Sequence, residues 1–154
     1  MKILVVDGQG GNIGRQLVKM IAERFTDVEI MAVGTNSIAT ANMIKAGALS
    51  AATGENAAVV ASRKADVIVG PVGIVIADAL LGEVTPKMAE AIGQSEAARV
   101  LIPMNKCDTL IAGVGETSVG ELLEDAVKKI GALMHRKTLD KTDGEWYNLD
   151  ISRA

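Results

Sequence analysis

The residues with most chemical potential come early in the chain. Asp7-Gly8-Gln9-Gly10-Gly11-Asn12-Ile13-Gly14 places four glycines in seven positions, between an apolar run (Ile3 to Val6) and a segment of helical periodicity. Glycines at a strand-to-helix turn let the backbone bend tightly and approach a ligand. Free N–H groups and roughly half a positive charge at the helix start favour a phosphate there. Counted from Gly8, the pattern G-x-G-x-x-G places its third glycine at Ile13, whereas the glycine falls at Gly14. No Gly-Lys-Ser/Thr follows, which excludes the Walker loop. The competing reading is a tight turn that holds nothing. Asp7 complicates a phosphate site, because a carboxylate repels the ligand unless a cation such as Mg²⁺ intervenes. Otherwise Asp7 binds a sugar hydroxyl or braces the loop's own N–H groups, and bracing is the favoured role. For Mg²⁺, the oxygen set to consider is Asp7 with Asn36, Asn105 or Asp108.

A second reactive stretch is Pro103-Met104-Asn105-Lys106-Cys107-Asp108. Lys106 is a candidate phosphate clamp, and Asp7 a candidate general base or metal ligand. Cys107, without a nearby His, reads as a small buried hydrophobe rather than a nucleophile. His135 and Arg136 sit where the last predicted helix ends, so His135 reads as a cap favoured by the helix dipole. H-E-x-x-H, G-x-S-x-G and paired-cysteine patterns are absent, which removes the commonest zinc and serine hydrolases.

The elements that must position these residues alternate between β-branched runs and amphipathic helices. Ile3 to Val6 reads as a buried strand, and Ile13, Leu17, Met20, Ile21 and Phe25 as one helix face. Val28 to Gly34 reads as a second strand, capped into a helix by Thr35-Asn36-Ser37 and ending near Gly47. Residues 48 to 54 are ambiguous. A helix from Glu55 to about Lys64 precedes the strand Asp66 to Gly70, and Ile74 to Leu81 fits helix or strand. Thr85-Pro86 starts a helix. Arg99 to Pro103 and Thr109 to Val114 read as two more strands. The last helix opens on a capping box of Ser118 and Glu121, and carries the pairs Glu124–Lys128 and Asp125–Lys129 on its polar face. Arg136 to Gly144 reads as polar and turn-like, and Glu145 to Ile151 as an edge strand or a cover.

Alternation of this kind implies a mostly parallel sheet whose post-strand loops converge on one rim, where ligands bind. Asn36, Gly73 and Asn105 join Gly8 to Gly14 on that rim. The 154 residues are 49% apolar and 23% charged, as in an ordinary single globular domain. Three aromatic rings, Phe25, Trp146 and Tyr147, leave little for base stacking, and a net charge of -3 without basic runs excludes a nucleic-acid partner. One cysteine fits a reducing compartment, and no apolar run reaches the roughly 18 residues of a membrane span. The apolar stretch after Met1 is too short for a secretion signal, so a cytoplasmic location is expected.

The segments Val6 to Gly14, Ala65 to Val75 and Leu101 to Cys107 together resemble a small bacterial family catalogued as a domain of unknown function. The resemblance covers about residues 2 to 135. It implies a short cytoplasmic protein and brings no substrate or functional residues with it. The first loop is also similar to the nucleotide loop of Rossmann-like proteins, departing from it at Ile13 and at Asn36, where a ribose-binding acid would stand.

The expectation is an α/β, three-layer Rossmann-like sandwich over residues 1–135, with residues 136–154 as a tail that forms an edge strand or interface arm. The leading function is binding of a nucleotide, dinucleotide or other phosphorylated small molecule at Gly8, Gln9, Gly10, Gly11, Asn12, Ile13 and Gly14. One alternative is a structural or regulatory subunit acting through homo-oligomer or partner contacts, with Trp146 and Tyr147 as anchors. A weaker one is an NAD(P)-dependent oxidoreductase.

Overall fold

A computed structural model describes residues 1–104 and 109–143, with side chains through residue 136. Strands and helices alternate as β1 (Lys2–Asp7), α1 (Asn12–Arg24), β2 (Glu29–Gly34), α2 (Ser37–Lys45), β3 (Ser50–Thr53), α3 (Glu55–Ser62), β4 (Val67–Pro71), α4 (Pro86–Gly93), β5 (Ala98–Ile102) and α5 (Val119–Asp143). The sheet order is β3-β2-β1-β4-β5, and every pairing is parallel. β1 pairs along its whole length with β2, and through Ile3, Leu4 and Val5 with β4.

A central parallel strand is covered on both faces, which is why β1 is uniformly apolar rather than alternating. Ile3, Leu4, Val5 and Val6 have no solvent exposure. Successive side chains point to opposite faces. Ile3 and Val5 therefore pack with Val67, Val69 and Ile102 against Leu17 and Ile21 of α1 and Leu123 and Ile130 of α5. Leu4 and Val6 pack with Ile68 against Ala58 of α3 and Met88 and Ile92 of α4. The result is a three-layer α/β Rossmann-like sandwich with aliphatic cores on both sides of the sheet.

The caps form as their residues suggest. Asn36 Oδ1 accepts from Ala39 N at 2.9 Å, and Thr85 Oγ1 accepts from Met88 N at 3.2 Å ahead of Pro86. Ser118 N donates to Glu121 Oε2 at 2.9 Å, and Glu121 N to Ser118 Oγ at 3.3 Å. Asp125 pairs with Lys129 at 3.0 Å, whereas Glu124 is paired with Arg24 of α1 at 4.0 Å.

Two ambiguous stretches, 48–54 and 74–81, take definite form, and three expectations change. Residues 50–53 are β3, an edge strand too short and Ala-rich to show an alternating pattern. Residues 109–114 are not a strand: Leu110 is 90% exposed, and Gly113, with φ of +83°, turns the chain instead of extending it. Residues 136–143 continue α5, since no glycine or proline interrupts the sequence before Gly144. His135 consequently lies inside α5 and caps nothing. Ile74 to Leu81 is neither helix nor strand: a 3₁₀ turn at Val72–Val75 gives way to turns in which Asp78, Leu80 and Leu81 have φ near +60°. Among the described residues, no helix is long and apolar enough to cross a membrane.

Candidate functional site

Strand order reverses between β1 and β4, and in such sheets the crevice beyond the strand ends at that point receives ligands. A cavity of about 120 Å³ occupies it, bounded by the loop Asp7 to Ile13, by Pro71 and Gly73 after β4, and by Leu80 and Met104. Water occupies about 30 Å³ in the liquid, so the space equals roughly four waters. It is well below the roughly 300–1,000 Å³ that encloses a drug-sized ligand. A wider hollow of about 530 Å³ between α3 and α4, around Arg63, Lys87 and Glu96, lies by the strand N-terminal ends, away from this loop.

β1 ends by delivering Asp7 into the base of the loop, only 4% exposed. Its Oδ1 accepts from Gly8 N at 2.8 Å and its Oδ2 from Gly14 N at 2.7 Å. Asp7 therefore braces the loop and supplies the anion that the bare α1 terminus lacks, because Gly11 at the N-cap has no side chain and the first turn holds no acid. Burial pushes the Asp7 carboxyl above the ordinary aspartate value. The amides of Gly14, Gly8 and Ile13 pull it down without cancelling that effect, and the charge of Glu83 pushes it further up.

The glycines separate by cause. Gly11 has φ of +68°, and a Cβ there would lie 2.6 Å from Ala39 Cα, so α1 and α2 approach only because the side chain is missing. A Cβ on Gly14 would meet Met43 Sδ at 2.6 Å and Asp7 Cβ at 2.8 Å. Gly10 is different. It has no left-handed φ, and a Cβ would find nothing nearer than Asn12 Nδ2 at 3.7 Å. Neither conformation nor packing requires a glycine at this exposed position of the cavity lining. The loop amides divide in the same way. Gly8 and Gly14 donate to Asp7, Gln9 donates to Glu83 Oε2 at 2.8 Å, and Gly11 donates to Gly8 O at 2.9 Å. Among the described residues, the N–H groups of Gly10 and Asn12 have no such acceptor.

Glu83 was not singled out from the sequence. It stands 74 residues from Gln9, in a segment without periodicity, and nothing short of the fold brings the two together. Residues 76–84 form a strap across the end of β1. Leu80 is buried over Gly8, and Glu83 Oε2 accepts from Gln9 N, Thr35 Oγ1 and, at 2.9 Å, Asn36 Nδ2. Burial disfavours the Glu83 charge, but the donors from Thr35, Gln9 and Asn36 outweigh it and hold its carboxyl below the ordinary glutamate value. Three non-glycine residues of the strap, Asp78, Leu80 and Leu81, have φ of 62°, 57° and 60°. Left-handed backbone costs about 1–2 kcal/mol at each such residue.

Gly8 to Ile13 and Gly73 do come together around the cavity, whereas Gly14 lies against Asp7 and Met43 instead of in its lining. Asn36 reaches the same rim, but its side-chain amide is engaged by the protein: Oδ1 caps α2, and Nδ2 donates to Gln9 O and Glu83. Asn105, Lys106, Cys107 and Asp108 lie outside the described residues, as do Trp146 and Tyr147. Among the described residues, no group of three His, Cys, Asp or Glu side chains is placed to hold a metal ion.

A search of the solved structures finds the crystal structure of a dodecameric FMN-dependent Ubix-like decarboxylase from Escherichia coli O157:H7. It is 16% identical, with a TM-score of 0.48 over 97% of this chain and 100% of that one. Among curated proteins, none matches this sequence. The family model described as Domain of unknown function (DUF3842) matches residues 2–135, and the chain belongs to that family.

Proposed function

We propose that this is a cytoplasmic protein that binds a small phosphorylated molecule, seating its phosphoryl group on the Gly10 and Asn12 amides. One observation carries the reading. At the mouth of a phosphate-sized cavity two loop N–H groups have no acceptor among the described residues, and a side chain at Gly10 would meet nothing closer than 3.7 Å. The closed strap also bears on ligand size. Leu80 and Glu83 fill the side of the β1 end that faces β2, where a dinucleotide's ribose would rest, which favours a compact ligand over NAD(P). Gly8, Gln9, Ile13 and Gly14 shape the loop in this reading, and Gly73 forms the opposite wall. Asp7 braces the loop rather than holding Mg²⁺.

Thermal-shift titration tests the proposal with inorganic phosphate, AMP and NAD⁺. A ligand with a Kd of about 10 μM, supplied at 1 mM, adds about 2.7 kcal/mol, which raises the Tm of a chain this size by several degrees. Stabilisation by phosphate or AMP supports the site, and no shift with any of the three overturns it.

A separate observation favours homo-oligomer contacts as a second role. Among the described residues β3 leaves one strand edge unpaired, Leu49 beside it is 99% exposed, and α5 continues ten residues, about 15 Å, past Leu133, which still packs on the core. Light scattering on the full chain and on a chain ending at Asp143 tests an interface arm over residues 144–154. Loss of the oligomer on truncation supports it, and an unchanged mass removes it.

A further inference from the structure

The Glu83 carboxylate is held as a bound anion would be. Its Oε2 collects a backbone N–H from Gln9, a hydroxyl from Thr35 and an amide N–H from Asn36, three donors contributed by the ends of β1 and β2. Charge-assisted bonds of this kind are what a protein offers an oxyanion. Gln9 is also the immediate neighbour of Gly10, whose own N–H borders the cavity. Two oxyanion positions therefore adjoin along one backbone, one open and one filled from within the chain.

The segment that fills the second position carries unfavourable backbone on its outward side. Asp78, Leu80 and Leu81 have left-handed backbone that a non-glycine residue rarely adopts, and Leu81 is 95% exposed. Ala79, Leu80 and Val84 anchor the strap in the core under α4, whereas its outward turn is held to the loop by the three donors to Glu83 and by Leu80 over Gly8. Swinging Glu83 and the exposed turn at Leu81 outward relieves unfavourable backbone and releases Gln9 N–H, Thr35 Oγ1 and Asn36 Nδ2 together, while Ala79 and Val84 stay in the core.

We infer that Gln9, Thr35 and Asn36 form a second oxyanion site, for which Glu83 is the internal occupant. A ligand bearing two adjacent anionic groups, such as a diphosphate, displaces Glu83 and loosens the strap at its outward turn, residues 81–83. The inference rests on the phosphate reading of Gly10 and Asn12 and extends it to a two-anion ligand class. The exposed carboxylate then becomes a filter, because a ligand with one anionic group leaves the strap in place.

Calorimetric titration of the full chain with inorganic phosphate and inorganic pyrophosphate, paired with hydrogen exchange over residues 76–84, tests this. In the wild type, pyrophosphate is expected to speed exchange in the strap while phosphate leaves it unchanged. Glu83→Ala empties the site, so pyrophosphate should bind about ten-fold more tightly while phosphate affinity moves less than two-fold. Glu83→Gln, which keeps the shape and removes the charge, should fall between. Phosphate binding with no gain for pyrophosphate in either variant, or with strap exchange indifferent to pyrophosphate, overturns the second site and leaves the first standing. No binding of either anion to any of the three proteins overturns both.

Discussion

Two carboxylates grip the same glycine-rich loop from opposite sides, and they do so on opposite terms. Asp7 comes from the adjacent strand, is buried, and spends both oxygens on Gly8 and Gly14, so its bonds are part of how β1 becomes α1. Glu83 arrives from across the sheet on a strained strap, is half-buried, and uses one oxygen on three donors. Burial raises the first carboxyl, whereas donors lower the second. The loop thus has an inner grip from its own strand and an outer grip from a distant segment. Substitutions on the two sides should separate these roles.

The inner side carries the largest expected effect. Asp7→Ala leaves the buried amides of Gly8 and Gly14 without their acceptors, at about 1–3 kcal/mol each. Urea denaturation should show a loss of about 2–5 kcal/mol. Gly11→Ala should cost a similar amount, since the added methyl meets the Ala39 backbone and the residue must keep φ of +68°. A loss below about 1 kcal/mol in both would show that the loop is held elsewhere.

On the outer side, Glu83→Ala exposes three donors that water can reach, and it also frees strained backbone. The net loss should be about 1 kcal/mol or less, clearly smaller than at Asp7. Protease cleavage between residues 76 and 84 should nonetheless accelerate. Equal losses at the two positions would erase the distinction.

Acid titration should give the two carboxylates opposite signatures. The folded Asp7 binds its proton more tightly than the unfolded one. Its contribution therefore worsens as pH rises from the ordinary aspartate value, about 3.9, through the raised one. Glu83 binds its proton less tightly when folded. Its stabilisation is present above the ordinary glutamate value, about 4.3, and is lost as pH falls through the lowered one. Unfolding free energies from pH 3 to 7 should show Asp7→Asn gaining on the wild type as pH rises, and Glu83→Gln gaining as pH falls. Parallel curves would mean that the two groups share one environment.

The inner grip was legible in the sequence because it is local. Asp7, Gly8 and Gly14 lie within eight residues, between a β-branched run and a helical period, and their chemistry already suggested bracing. The outer grip was not. Glu83 reaches Thr35 and Asn36 only because the order β2-β1-β4 places the β2 and β4 loops on either side of β1. A strand of four small residues at 50–53 is ambiguous in the sequence, and the apolar run at 109–114 reads falsely as a strand, for a related reason. Strand identity depends on which neighbour is present, and β2 is beside the first while Leu110 of the second faces solvent.

The smallest stability effect, and the most discriminating one, belongs to Gly10, between the two grips. Its φ tolerates a side chain and an added methyl meets nothing closer than 3.7 Å, so Gly10→Ala should shift the unfolding free energy by less than about 0.5 kcal/mol. The methyl would nevertheless stand in the space above the Gly10 and Asn12 amides that a phosphoryl group needs. Phosphate and AMP should stabilise the wild type and leave Gly10→Ala unmoved. A variant that loses stability would make Gly10 part of the inner grip, like Gly11. One that keeps both stability and ligand response would move the phosphate away from this amide. Only unchanged stability with lost response fits a glycine whose missing side chain makes room for a ligand rather than for the fold.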